Sequence, residues 1–267
     1  MREFDIYQVD AFADAVFTGN PAGVVPLSDW PSDALLQNIA AENNLAETAF
    51  FKPAGEGRYA LRWFTPVQEV PLCGHATLAT AHVLFRHLGF TGAEIVFATE
   101  SGDLIVKKTG DGQYEMDFPA DPPTPTAAPD GLADALGGAP EAALRGQYLM
   151  AVFADAAAVR ALRPNQTKLE ALADGRLTDC VIATAPGEGD LDFISRFFAP
   201  SQGIPEDPVT GSAHCVLAPY WADRFGKRQL KAFQASPRGG RVDCRIAGDR
   251  VFLSGGAVTY LRGRIFV

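Results

Sequence analysis

Two stretches of this 267-residue chain repeat each other in order, and that repeat limits what the chain can fold into. Arg62-Trp63-Phe64-Thr65-Pro66 corresponds to Arg196-Phe197-Phe198-Ala199-Pro200, an aromatic strand stopped by proline. An acidic loop follows each, Gln68-Glu69 in the first and Glu206-Asp207 in the second. Cys73-Gly74-His75-Ala76 then matches Thr210-Gly211-Ser212-Ala213, and Gly89 stands as far beyond Cys73 as Gly226 stands beyond Thr210. Chance supplies one such match, but hardly strand, loop, helix start and helix end in succession. The repeat predicts two similar domains related by a pseudo-twofold axis, each presenting a glycine-led helix start. Such a start exposes unpaired N–H groups and the positive end of the helix dipole. Two of them across a cleft make a site for a carboxylate or a developing enolate.

The remaining elements follow from periodicity and turn residues. DIYQVDAF and AGVVPL read as strands joined by the turn-rich FTGNPAG. SDWPSDALLQNIAAENN carries a helix start, with Leu35, Leu36 and Ile39 at helical spacing. ETAFFK and YALRWFTP read as strands, and GHATLATAHVLFRHLG as a helix opened by Gly74 and capped by Gly89. AEIVFATESGDLIVKKTGDGQYEMDF reads as three strands joined by Gly-Asp and Asp-Gly turns. Pro119, Pro122, Pro123, Pro125 and Pro129 crowd one short stretch and cannot enter a sheet interior, so residues 119–128 read as a linker. It separates an N-terminal domain of residues 1–118 from a C-terminal domain of 129–257, with 258–267 crossing back to the first. In the second domain the sequence predicts a strand near 145–153, short helical pieces over 155–173, strands near 179–185 and 191–199, a helix from about 211, and three or four closing strands.

Composition excludes several function classes. An apolar share of 47% lets the chain bury a core without staples, and a net charge of −9 argues against a nucleic-acid or anionic-membrane partner. MREFDIYQVDAF places charges where a signal peptide needs its apolar run, and no 18-residue apolar segment occurs, so a cytoplasmic chain is expected. Cys73, Cys180, Cys215 and Cys244 form no C-x-x-C pair and are expected reduced. His75, His82, His87 and His214 include no i, i+4 pair, so no metal site is expected. No nucleotide fingerprint is present, and no cofactor is expected.

DAFADAVFTGNPAGVV, NLAETAFF, RWFTPVQEVPLCGHATLATAHVL and EDPVTGSAHC resemble the hallmark stretches of the PhzF-like phenazine-biosynthesis proteins, a family of the diaminopimelate-epimerase superfamily. The resemblance spans nearly the whole chain and keeps the motifs in order. It implies an α+β fold of two domains, each a curved, mostly antiparallel sheet wrapped around a central helix. It also implies a homodimer, an active site in the interdomain cleft, and isomerisation of trans-2,3-dihydro-3-hydroxyanthranilate or a similar small carboxylic acid without metal or organic cofactor. Carried onto this sequence, the family's acid/base glutamate is Glu47, with Gly74, His75, Asp207, Gly211 and Ser212 orienting the substrate.

Each of these residues also has a plainer reading. Glu47 lies among Leu45, Ala46, Ala49 and Phe50, and an apolar setting disfavours a charged carboxylate, which suits a group that takes and returns a proton. Without the resemblance it reads as an exposed strand-end glutamate. His75 pairs with Ser212 in the repeat, and a helix N-terminus disfavours imidazolium, so a neutral His75 is expected. Asp207 either assists proton movement or decorates the turn before Pro208. Asn20 reads as a turn residue, with lining of the substrate cleft as its second reading. Ser212 lacks the G-x-S-x-G elbow of a hydrolase, its flanks being Thr210 and His214. Superfamily racemases oppose two cysteines at the two helix starts; here Cys73 faces a counterpart Thr210, which disfavours a two-thiol racemase. An epimerase with Glu47 and one other base, and a silent small-acid-binding protein, remain as alternatives. His82, His87, His214 and Cys215 are assigned to helix packing or the surface.

Overall fold

A helix that is apolar on every side has to be surrounded, and the helix after Cys73 is of that kind. Every residue from His75 to Leu84 is buried. The computed structural model describes residues 2–172 and 180–267, and the chain divides into two compact units, Met1–Asp117 with Ser254–Val267, and Phe118–Leu253.

The first unit holds β1 (Glu3–Ala11), β2 (Asn20–Pro26), α1 (Asp33–Asn43), β3 (Glu47–Gly55), β4 (Arg58–Phe64), β5 (Glu69–Val70), α2 (Gly74–Arg86), β6 (Glu94–Thr99), β7 (Gly102–Gly110) and β8 (Gln113–Pro119). β1 and β2 run antiparallel, and β2 and β3 parallel with α1 as the crossover. β3 and β4 are antiparallel, as are β4 and β5, and α2 returns the chain so that β6 lies parallel to β4. Parallel neighbours need such a crossover, and an amphipathic or buried helix supplies it. α1 packs Leu36, Ile39 and Ala40 with Ile6, Val25, Leu27, Phe50 and Phe64. α2 touches β1, β2, β3 and β7, so it sits within the curve of the sheet. Each fully buried Leu or Val on α2 contributes about 1.5–3 kcal/mol.

The second unit holds β9 (Thr124–Thr126), α3 (Leu132–Leu136), β10 (Ala142–Arg145), β11 (Leu149–Val152), α4 (Ala156–Ala161), α5 (Gln166–Ala171), β12 (Val181–Pro186), β13 (Phe193–Ala199), a 3-10 turn at Pro200–Gln202, β14 (Ile204–Asp207), α6 (Gly211–Phe225), β15 (Gln229–Gln234) and β16 (Gly240–Ala247), and β17 (Arg250–Phe266) starts there and belongs to the first unit from Ser254 on. Its pairings repeat those of the first. β11 and β12 are parallel across α4 and α5, β12 and β13 antiparallel, β13 and β14 antiparallel, and β13 and β15 parallel across α6. β11 and β13 are buried along their whole length, as strands covered on both faces must be. Trp221 of α6 stacks on Phe193 and donates its indole N–H to Thr184 Oγ1 at 3.0 Å. Pro219, inside α6, has no N–H for the carbonyl of Cys215; Asp121 N–H supplies one at 3.0 Å, so the helix continues.

Several sequence expectations change in detail. Residues 119–128 contain β9, whose Thr124–Thr126 pairs with Ala143–Arg145; all three β9 residues are exposed, a setting in which a strand tolerates Pro125. The strand expected over 145–153 is a hairpin, β10 and β11. The first turn of the β6–β8 meander is Glu100–Ser101, and Gly102 opens β7 with φ +99°. The last two expected strands are one, β17, whose stretch from Ala257 to Phe266 pairs antiparallel with β1. Residues 173 and 179, within an expected helical piece and an expected strand, lie outside the described residues. Gly89 lies beyond the α2 cap at His87, whereas Gly226 caps α6 directly, yet both adopt positive φ (+71° and +63°). His82 is buried, with Nδ1 3.0 Å from Tyr114 Oη and Nε2 2.8 Å from Thr259 Oγ1. Among the described residues no helix is long and apolar enough to cross a membrane.

The two acidic loops are short strands, β5 and β14, each folded back on the aromatic strand before it. The reason is the same ion pair in both units. Arg62 grips Glu69 through Nε and Nη2, both at 2.7 Å, and Arg196 grips Glu206 the same way at 2.8 and 2.9 Å. Each guanidinium also lies over a phenylalanine two residues on, Phe64 at 5.1 Å and Phe198 at 5.0 Å. The pairs differ in burial: the Arg196–Glu206 side chains are 10% and 14% exposed, against 25% and 35% for Arg62–Glu69, and Arg62 holds Asp33 in reserve at 2.9 Å. Glu206→Gln is therefore expected to cost about 3 kcal/mol, since it strands a buried guanidinium. Glu69→Gln is expected to cost about 1 kcal/mol or less. Urea denaturation of the two variants checks the order; equal losses would contradict it.

Candidate active site

The short strand β5 delivers the chain to Cys73, which is the N-cap of α2 in extended conformation. Its thiol makes no capping bond; Thr77 Oγ1 instead donates to the Cys73 carbonyl at 2.6 Å. The thiol is thus left to face the next turn, where Sγ lies 3.4 Å from His75 Nδ1. His75, the second helical residue, is buried. Its Nε2 lies 3.2 Å from Oε2 of Glu47, whose side chain is 12% exposed. Glu47 gets there because Asn44 ends α1 in the left-handed region (φ +48°), turning the chain into β3 within three residues. Beside them, Nδ2 of Asn20 is 3.2 Å from His75 Nδ1. Asn20 is the fully buried first residue of β2 rather than a turn residue, and its side chain lies against His75. Gly19 makes the approach possible: a Cβ there would lie 2.2 Å from the Ala11 carbonyl oxygen.

These contacts set the charge of His75. Nε2 and Oε2, 3.2 Å apart, are close enough for an ion pair, although no hydrogen bond joins them. Burial works against a charged His75, but the Cys73 sulfur and the Glu47 carboxylate outweigh it and hold its pKa well above the ordinary value. This reverses the expectation of a neutral imidazole drawn from the helix dipole alone, because the dipole is weaker than an adjacent buried carboxylate. Burial, reinforced by Glu47, pushes the Cys73 thiol up to about 11, so it is protonated near neutral pH.

The second unit arranges different groups on the same frame. Ala183 pairs with Arg196 as Phe50 pairs with Arg62, and counting back along β12 and β3 puts Cys180 where the first unit has Glu47. Thr210 and Ser212 then stand where Cys73 and His75 stand. Thr210 Oγ1 donates to Asp207 Oδ2, and Gln234, fully buried, accepts from Thr210 N–H at 2.9 Å and donates to the Asp207 carbonyl at 2.8 Å. Asp207 is therefore tied into the start of α6 rather than into a free turn. Gly211 opens that helix, and Ser212 Oγ lies 2.9 Å from Tyr148 Oη, a phenol that burial pushes up to about 12. Sequence reasoning missed Gln234 and Tyr148: neither lies in a motif, and only the sheet register brings them to the helix start. Extending the repeat through β12 would have pointed to Cys180.

The family profile described as phenazine biosynthesis-like protein matches residues 9–263. The chain belongs to that family. It is 49% identical to an uncharacterized isomerase of Pseudomonas aeruginosa over 98% of this chain and 99% of the other. The solved structure of a PhzF-family protein from Enterococcus faecalis superposes with a TM-score of 0.94 at 42% identity, each chain covered in full. A hydroxyproline epimerase from Agrobacterium vitis, at 10% identity and a TM-score of 0.58 over 99% of this chain and 92% of that one, shares the fold. The architecture is thus diaminopimelate epimerase-like, as the family resemblance implied.

His214, fully buried in the first turns of α6, donates from Nδ1 to the Thr210 carbonyl at 2.8 Å, the counterpart of Thr77 on Cys73. Burial lowers its pKa to about 4. The unfolded chain then binds more protons between about pH 4 and 6.5, so stability falls as pH drops through that window, by about 3 kcal/mol for this one group. His214→Asn keeps a donor and removes the imidazole, and is expected to flatten the dependence by roughly one proton. Denaturant midpoints from pH 4 to 7 check this; an unchanged slope would contradict it.

Proposed function

We propose that this chain, a member of a family whose curated relatives include isomerases, moves a proton on a small cyclic or amino-acid-like carboxylic acid, with Glu47 as the acid/base. The observation that carries this reading is the nearly buried Glu47 carboxylate 3.2 Å from His75 Nε2 at the start of α2. A carboxylate in such a place removes a proton from an activated carbon and returns it elsewhere, and His75 keeps it oriented between the two steps. The N–H groups of the first turn, from Gly74 onward, suit the substrate carboxylate and the negative charge that develops as the proton leaves. The family resemblance gives Asp207, Gly211 and Ser212 a substrate-orienting role, with Gln234 holding the start of α6 in place. Asn20 orients His75 rather than the substrate. The reaction needs no metal or organic cofactor in this reading, which extends to a homodimer on the strength of the family resemblance.

An epimerase using Cys73 as a second base is disfavoured by its protonated thiol and by Thr210 at the equivalent position. A protein that only binds small acids would need no acid/base such as Glu47 paired with a buried histidine. Deuterium incorporation from solvent into candidate acids separates the three. Glu47→Gln is expected to keep the fold and lose about 10²- to 10⁴-fold of the exchange. Cys73→Ser is expected to retain most of it. Full exchange in Glu47→Gln would overturn the assignment, a large loss in Cys73→Ser would favour the two-base epimerase, and no exchange in any protein would favour the binder.

A further inference from the structure

Glu47, Cys73 and His75 bring an oxygen, a sulfur and a nitrogen donor to one place, with one donor atom from each lying within 4.8 Å of the others. It is the one such group of His, Cys, Asp and Glu among the described residues. The spans suit a four-coordinate ion. Bonds of about 2.3 Å to sulfur and about 2.0–2.2 Å to nitrogen and oxygen put tetrahedral donors roughly 3.3–3.6 Å apart. Here Nε2 and Oε2 are 3.2 Å apart, and Sγ and Nε2 are 4.0 Å apart. The donors come from fixed places, the N-cap and second residue of α2 and the first residue of β3. Metal-bound histidines usually have their other nitrogen held by a fixed partner, and Asn20 stands at Nδ1.

We infer that this cluster captures a thiophilic divalent cation, Zn2+ above all, through Cys73 Sγ, His75 Nε2 and a Glu47 oxygen, leaving a fourth position for water or a ligand carboxylate. Three new bonds form to the ion. The thiol proton leaves to solvent, and the imidazole gives up its Nε2 proton and carries one on Nδ1, which the Asn20 amide accepts with its oxygen turned inward. The positive end of the α2 dipole opposes the ion and weakens its binding. Resting on the proposed role of Glu47, the inference also makes the metal-loaded form silent, because the same carboxylate cannot bind the ion and move a proton.

The test uses the untagged, reduced full-length chain and Co2+ as the probe. One equivalent is expected to give the sulfur-to-cobalt charge-transfer band and the intense visible bands of a four-coordinate ion, and Zn2+ is expected to remove them. Cys73→Ser, nearly isosteric, is expected to lose the charge-transfer band while Cys180, Cys215 and Cys244 remain. Glu47→Gln, with folding confirmed by its thermal transition, is expected to weaken binding at least as much as loss of an outer-sphere partner does, about 10- to 100-fold. Absence of the band in the wild type, its persistence in Cys73→Ser, or unchanged affinity in Glu47→Gln would each overturn the site. No substrate enters this readout, so failure of the isomerase reading and failure of the metal site are separate results.

Discussion

A buried helix must end somewhere, and the whole arrangement of the first unit follows from where α2 begins. Its flanks are apolar from Ala76 to Leu84 but for Thr77, Thr80 and His82, and each of these has a partner: the Cys73 carbonyl, the Ala76 carbonyl, and Tyr114 with Thr259. Its first N–H groups and its dipole cannot be satisfied that way. They draw negative charge to the interior, and Glu47 supplies it through His75. A carboxylate so placed is held out of bulk water, with the titratable His75 rather than an arginine as its positive partner. The arginines of the repeat, Arg62 and Arg196, are already committed to Glu69 and Glu206.

The two units share a scaffold and differ in their chemistry. Parallel crossovers, the folded-back acidic strand and the bidentate arginine recur, and so does the donor that closes on the N-cap carbonyl, Thr77 in one and His214 in the other. At the helix starts the correspondence stops. Glu47, Cys73 and His75 are answered by Cys180, Thr210 and Ser212, so a proton-transfer group of the first kind has no twin. Asp207 and Gln234 instead build a hydrogen-bonded clamp around Thr210. The repeat thus explains why a symmetric two-thiol mechanism is a poor fit to this chain.

Much of this was legible in the sequence. Motifs with a local physical cause were read correctly: the glycine-led helices, the proline-stopped aromatic strands and the Asp111-Gly112 turn. The acidic loops were misread because their strand character comes from Arg62 and Arg196, seven and ten residues away, not from local propensity. Asn20 looked like a turn residue since Gly19 and Pro21 flank it, and only the β1–β2 pairing shows it opening a buried strand. The state of His75 was misjudged because a helix dipole is visible in sequence and a carboxylate arriving from β3 is not. Tyr148 and Gln234 carry no motif at all.

The charge that Glu47 confers on His75 is the central claim, and the imidazole nitrogens report it directly. With histidine labelled with 15N, His75 at neutral pH is expected to show the resonances of an imidazolium, protonated on both ring nitrogens. Glu47→Gln should lower the His75 pKa, since the buried carboxylate that raises it is gone. A His75 that is neutral at neutral pH, with a pKa indifferent to Glu47→Gln, would contradict it.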